Sequence, residues 1–136
     1  MSRRISVLFS VIGLVALSLA HGPAKASNGD ADRGKELYLE CSGCYALQEN
    51  AVGPKHCGVF QRRAGAVEGY NYSAAMRASR IVWDVQHLND FLKSPFTYVD
   101  GTNMGYAGID DEKDRIDLIA YLQTLSTDAD LCRGSK

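Results

Sequence analysis

Alternating apolar and polar residues of the kind that build strands are hard to find in this chain, which leaves little support for a sheet. Internal repeats, low-complexity tracts and linkers are also missing, so repeat architectures and multi-domain arrangements drop out. Lys and Arg nowhere cluster with interleaved aromatics, and beyond the N-terminus Arg62-Arg63 is the only basic pair, which excludes nucleic acid as a partner. There is no HExxH, no serine elbow, no phosphate-binding glycine loop and no carboxylate pair at informative spacing. Hydrolytic and group-transfer chemistry therefore has no residues to rest on.

What is present begins with an address. The basic start Met1-Ser2-Arg3-Arg4, the apolar run Ile5 to Ala20 and the small-residue pattern Ala24-Lys25-Ala26 read as a secretory signal peptide over residues 1-26, cut after Ala26. The run is short for a membrane span, so no membrane association is expected after cleavage. Residues 27-136 then form a single exported domain of 110 residues, a size that gains from a covalent staple or a cofactor. The chain's 15 basic residues lose Arg3, Arg4 and Lys25, leaving 12 against 16 acidic ones and a net charge of about -4.

The periodicity is helical. From Asp30 as N-cap, Gly34, Leu37, Tyr38 and Cys41 share one face of a first helix, which delivers Cys41 to its buried side. A short second helix starts at Ser73 and covers Ala74 to Ala78. A third has Asp84 as N-cap, Trp83 and Leu88 as a hydrophobic staple, Leu88, Phe91 and Leu92 as its stripe, and Ser94-Pro95 as terminator. From Phe96 to Ile109, Gly101, Gly105 and Gly108 predict a loop able to lay one side chain, Met104, against a ligand. A last helix opens with Asp110-Asp111-Glu112 and carries Leu118, Tyr121, Leu122 and Leu125 on one face, for which the first helix is the natural partner.

Four cysteines carry the chemistry. Cys41-Ser42-Gly43-Cys44 is a CxxC, which by spacing alone serves equally as a redox dithiol, half a metal site or the thioether anchor of a c-type haem. A thioredoxin-like dithiol needs a strand entering the motif, whereas here it ends a helix.

The order of features resembles the class I cytochromes c of bacteria over most of residues 29 to 125. The pieces are the early helix with Gly34 and Tyr38, the CxxC, Gly53-Pro54, Gly58-Val59-Phe60 with Arg62 and Gly65, and Glu68-Gly69-Tyr70-Asn71-Tyr72-Ser73. Ile81-Val82-Trp83, Phe91-Leu92 with Pro95, Gly101-Thr102-Asn103-Met104 and Leu118-Ile119-Ala120-Tyr121-Leu122 complete them. The resemblance implies an all-α fold of three to four main helices, the N- and C-terminal ones packed across each other, with a Met-bearing loop. It further implies a monomeric periplasmic electron carrier that exchanges electrons with redox protein partners and binds one haem c, rather than an enzyme. Carried over by residue, Cys41 and Cys44 would bond the haem, Met104 would supply an axial sulfur, and Arg62, Tyr70, Tyr72 and Trp83 would hold a propionate. Arg63 competes with Arg62 for that role.

One position departs from the family. Where a histidine should follow the CxxC and bind iron opposite methionine, this chain has Tyr45. His56 lies in the loop just beyond Pro54, and bringing it under the iron is expected to require refolding that loop. His87, at the third position of the third helix, is expected to be solvated, and His21 leaves with the signal peptide. Three outcomes follow: Tyr45 binds ferric iron as a phenolate; Tyr45 stays protonated and the iron keeps an open position, making a sensor or weak peroxidase; or attachment fails and the protein is a haemless relic. Drift elsewhere accompanies the change, since Gln61 and Arg80 stand where the resemblance expects glycine and Asp100 where it expects proline.

Cys57 and Cys132 remain. In an exported chain the unused pair is most simply a disulfide tying the loop after Gly53-Pro54 to the C-terminal tail. The competing arrangement gathers Cys41, Cys44, Cys57 and His56 around zinc and leaves Cys132 odd.

Overall fold

The computed structural model describes residues 28–133, so the signal-peptide reading of residues 1-26 lies outside the described residues. Helices are the regular elements, and the extended pairing among the described residues is a single antiparallel bridge between Arg63 and Val82. Helix α1 (Ala31–Leu37) starts where Asp30 Oδ1 accepts hydrogen bonds from the Asp32 and Arg33 backbone N–H groups, at 3.0 and 3.1 Å, which satisfies two otherwise orphaned donors. It does not run on to Cys41 as one regular helix. A 3₁₀ turn, Tyr38–Glu40, tightens its end, and the Cys44 and Tyr45 N–H groups both bond the Cys41 carbonyl at 3.0 Å. The CxxC is therefore wound into a compact turn at the end of the helix.

Helix α5 (Glu112–Thr127) is capped by Asp111, whose Oδ1 accepts from the Asp114 N–H at 2.9 Å. It crosses α1 closely, and glycine makes the approach possible: a Cβ on Gly34 would collide with the Asp117 carbonyl group and lie 3.0 Å from Tyr121 Cβ. The sequence stripe of Leu118, Tyr121, Leu122 and Leu125 is buried, but so are Arg115, Asp117, Ile119 and Ala120. The helix packs against α1 and also against α3 (Val85–Lys93), so its buried surface is wider than one stripe.

Asp117 is 2 % exposed and ties the two terminal helices together. Its Oδ1 accepts from the Asp30 N–H at 2.8 Å, and its Oδ2 accepts from Lys113 Nζ at 2.6 Å and Arg33 Nη1 at 2.5 Å; Arg33 Nη2 also reaches Asp114. The Lys113 ammonium first, and then the Asp30 N–H, hold the Asp117 carboxyl well below the usual carboxylate range. A depressed carboxyl stabilises the fold above its unfolded pKa of about 4 and loses that contribution as pH falls through that value towards the folded one. Asp117→Asn is expected to cost about 1.5 kcal/mol at pH 7, the lower end for a bond to a charged group because Arg33 and Lys113 remain partly solvated. In thermal melts followed by circular dichroism, the gap between wild type and variant should narrow from about pH 5 downwards.

The middle of the chain follows its local signals. Ser73 Oγ accepts from the Met76 N–H at 3.1 Å and caps α2 (Ala74–Ala78). Asp84 Oδ1 accepts from the His87 N–H at 2.8 Å and caps α3 (Val85–Lys93), with Trp83 and Leu88 both buried across the cap. Pro95 does more than stop α3, because it also opens a single helical turn, α4 (Pro95–Tyr98), as a proline at the first position of a helix does. The loop that follows carries Met104 and is clamped at its far end. There Arg115, only 4 % exposed, donates through Nη1 to the Ile109 and Asp110 carbonyls at 2.7 Å and through Nε to Asn89 Oδ1 at 2.8 Å. A last turn, α6 (Ala129–Cys132), closes the chain. Gln61 (φ 63°) and Arg80 (φ 58°) lie in the left-handed region, which explains why glycine is expected at both positions. No described helix is long and apolar enough to cross a membrane.

Candidate functional site

The end of α1, the central loops, α3, the Met104 loop and α5 surround one cavity of about 480 Å³, within the size range of small-molecule and cofactor sites. Leu88, Phe91, Leu92, Leu118 and Leu122 give it apolar walls from α3 and α5. All eight residues singled out for ligand binding line it: Cys41 and Cys44 on the turn after α1, Tyr45 beside them, Arg62, Tyr70, Tyr72 and Trp83, and Met104 on the glycine-bearing loop. Helix signals alone could not bring these segments together; the crossing of α1 over α5 and the clamped loop do.

Both CxxC thiols are free, Cys41 partly buried and Cys44 exposed. Burial first, and then the neighbouring Glu40 and Cys44, push the Cys41 thiol up to about 11. A redox dithiol needs a lowered thiol pKa, so this environment counts against that use.

Arg62 is half-buried yet has no carboxylate within ion-pair reach among the described residues. Its Nη1 donates to the Cys57 carbonyl and its Nη2 to the Lys55 carbonyl, each at 2.9 Å, and burial lowers its pKa. A guanidinium so placed on a cavity wall is a ready partner for an anion. Arg63 is exposed and forms no part of the cavity wall. Tyr70 and Tyr72 meet edge to face, with ring centroids 4.6 Å apart, and the Tyr70 hydroxyl donates to the Val52 carbonyl at 2.7 Å. The buried Trp83 packs on Phe91 at 5.0 Å, and its indole N–H has no partner among the described residues.

Tyr45 packs its ring against Gly53, where a Cβ would collide with it. Burial raises its phenol pKa, with smaller contributions from Tyr70, Cys41, Cys44 and Tyr72. The residue that sequence reasoning set aside is His56. It lines the same cavity, with its ring stacked on Tyr45 at 4.2 Å and 17°. Its Nδ1 lies 2.9 Å from the Tyr38 hydroxyl, and burial, aided by Arg62, lowers its pKa to about 3. A usable signal was its neighbour, because Cys57 is bonded to Cys132 and fixes the loop. That bond also removes the zinc arrangement, since the Cys57 sulfur is committed, and no group of three or more metal-binding side chains occurs among the described residues. His87 lies outside the cavity, with Nδ1 2.8 Å from Asp84 Oδ1 at the surface.

A family profile described as Cytochrome c matches residues 31–126. The chain is 48% identical to the cytochrome c of Euglena viridis over 100 residues, which is 71% of this chain and 98% of that protein. It is 35% identical to the cytochrome c2 of Blastochloris viridis over 121 residues, 87% of this chain and 94% of that protein. Among solved structures it is similar to cytochrome cH from Methylobacterium extorquens, with a TM-score of 0.69, 39% identity, and coverage of 71% of this chain and 99% of that one.

Proposed function

The chain belongs to the cytochrome c family, whose members bind covalently attached haem c and carry electrons, and on that footing we propose that it is an exported, monomeric electron carrier holding one haem in the cavity described above. The observation that carries this reading is the donor set on one cavity wall after another: two free thiols, one thioether and a half-buried guanidinium without a carboxylate. These residues fit the body of a haem c. Beside the CxxC the fit changes, because a tyrosine stands where the family has a histidine.

When bound, the haem supplies a one-electron iron couple. The chain's own residues would do the rest. Cys41 and Cys44 would form the thioether bonds, and the Met104 sulfur would bind the iron. Arg62 would neutralise a propionate, while Tyr70, Tyr72 and the Trp83 indole N–H would offer it hydrogen bonds. The apolar walls from α3 and α5 would exclude water and keep the local dielectric low, which tunes the couple. The N-terminal pattern of residues 1-26 supports export to the periplasm as a single domain, 27-136, and the Cys57–Cys132 disulfide suits an oxidising compartment. Donor and acceptor would be redox proteins.

Tyr45 favours a second reading, in which the iron keeps an open face and the protein senses a small ligand or acts as a weak peroxidase. One preparation separates them. The full chain, produced in cells that mature c-type cytochromes, is expected to carry one haem by mass and by haem stain after denaturation, and Cys41→Ala with Cys44→Ala is expected to abolish that stain. A chain that comes out at its apoprotein mass with both thiols titratable would defeat covalent attachment. A ferric spectrum that shifts at once to a low-spin form with micromolar cyanide would select the open-face reading.

A further inference from the structure

We propose that His56, rather than Tyr45, is the protein ligand to iron on the face opposite Met104. This rests on the haem reading above and adds to it the identity of the missing donor.

His56 lines the cavity that Cys41, Cys44 and Met104 share, and it lies parallel to the Tyr45 ring at 4.2 Å, in the layer next to the family's histidine position. Its two nitrogens are used unequally. Nδ1 sits 2.9 Å from the Tyr38 hydroxyl, while Nε2 has no partner among the described residues. A metal-binding imidazole takes this form, with one nitrogen oriented by an oxygen and the other left free for the metal.

The loop is held as a ligand-bearing loop must be. The His56 N–H donates to the Ala46 carbonyl at 3.1 Å and the Cys57 N–H to the Leu47 carbonyl at 2.7 Å. Arg62 grips the carbonyls on either side of His56, those of Lys55 and Cys57, both at 2.9 Å. The disulfide and the bond from the Gly58 N–H to the Leu125 carbonyl, at 3.0 Å, fasten the next two residues to the C-terminal segment. Tyr45, wedged between Gly53 and His56, has no hydrogen-bond partner for its hydroxyl among the described residues and serves to set the plane of the imidazole by stacking.

The test reads the iron. Ferric spectra and electron paramagnetic resonance are recorded for the full chain as matured in cells, or, if it comes out colourless, after stoichiometric ferric haem is added to the purified protein. Wild type and Tyr45→Phe are expected to be low-spin alike. His56→Leu is expected to lose the low-spin signal and to regain it on addition of free imidazole, a rescue that a misfolded variant would not give. Histidine labelled with ¹⁵N in an otherwise wild-type chain carrying His87→Asn is expected to show hyperfine coupling to the iron, which decides the matter without any change at His56. Haem bound without that coupling, or a low-spin signal lost in Tyr45→Phe and kept in His56→Leu, would overturn the assignment and leave the haem reading standing. Failure of both routes to give a haem-bound protein would overturn the two together.

Discussion

Replacing Gly34 with valine is expected to cost the folded state about 3 kcal/mol, at the upper end for overpacking, seen as a large fall in the urea midpoint. The new Cβ would lie 2.6 Å from the Asp117 carbonyl carbon and 3.0 Å from Tyr121 Cβ. The first of these is α5 backbone and cannot turn aside, so relief comes only from separating the helices. Separation would pull on Asp117, which binds the Asp30 N–H at the start of α1, and on the contacts of Tyr38 with Tyr121, whose rings lie 5.2 Å apart. Gly43→Ala is the matched control. Beyond its chain neighbours no atom lies within 4 Å of a Cβ at Gly43, so its midpoint should stay within about 0.5 kcal/mol of wild type. Because Cys41 follows α1 and Leu118 and Leu122 belong to α5, the valine variant is also expected to loosen two walls of the cavity while the control leaves them intact.

The helices and their caps could be read from the sequence because their signals are local. Asp30, Ser73 and Asp84 each reach a backbone N–H two or three residues ahead, and no distant residue decides whether they do; Asp111 does the same, although the sequence marked it only as part of an acidic helix start. The left-handed backbone at Gln61 and Arg80 was legible only through resemblance, as two missing glycines. Burial of Asp117 and Arg115 was not legible. Each is a charged residue on a helix that a stripe of leucines assigns to the solvent face, and what buries it lies more than twenty residues away in sequence: Asn89 on α3 for Arg115, and the start of α1 for Asp117. The place of His56 on the cavity wall was not legible for a related reason. A single histidine in a loop carries no periodicity, and its direction is set by Ala46, Leu47, Arg62 and Cys132, none of which adjoins it.

Opening the Cys57–Cys132 disulfide should have an effect of similar or greater size. The two residues are 75 apart in sequence, with Cα atoms at 5.7 Å, and in the chain-entropy model closing a loop of that length is worth about 4 kcal/mol. Little else in the tail could make up the loss. Helix α6 has no buried residue, and its cap is a single bond from the Asp130 N–H to Asp128 Oδ1. Cys132→Ser with Cys57→Ser is therefore expected to unfold at a much lower urea concentration than wild type, and wild type in reductant should move to meet it. A wild-type midpoint indifferent to reductant would show that the bond restrains nothing. The loss should also be local before it is global, because the released loop is the one carrying His56. Hydrogen exchange at the His56 and Cys57 amides, which bond the Ala46 and Leu47 carbonyls, should quicken in the reduced protein at urea concentrations where α1 and α5 are still protected.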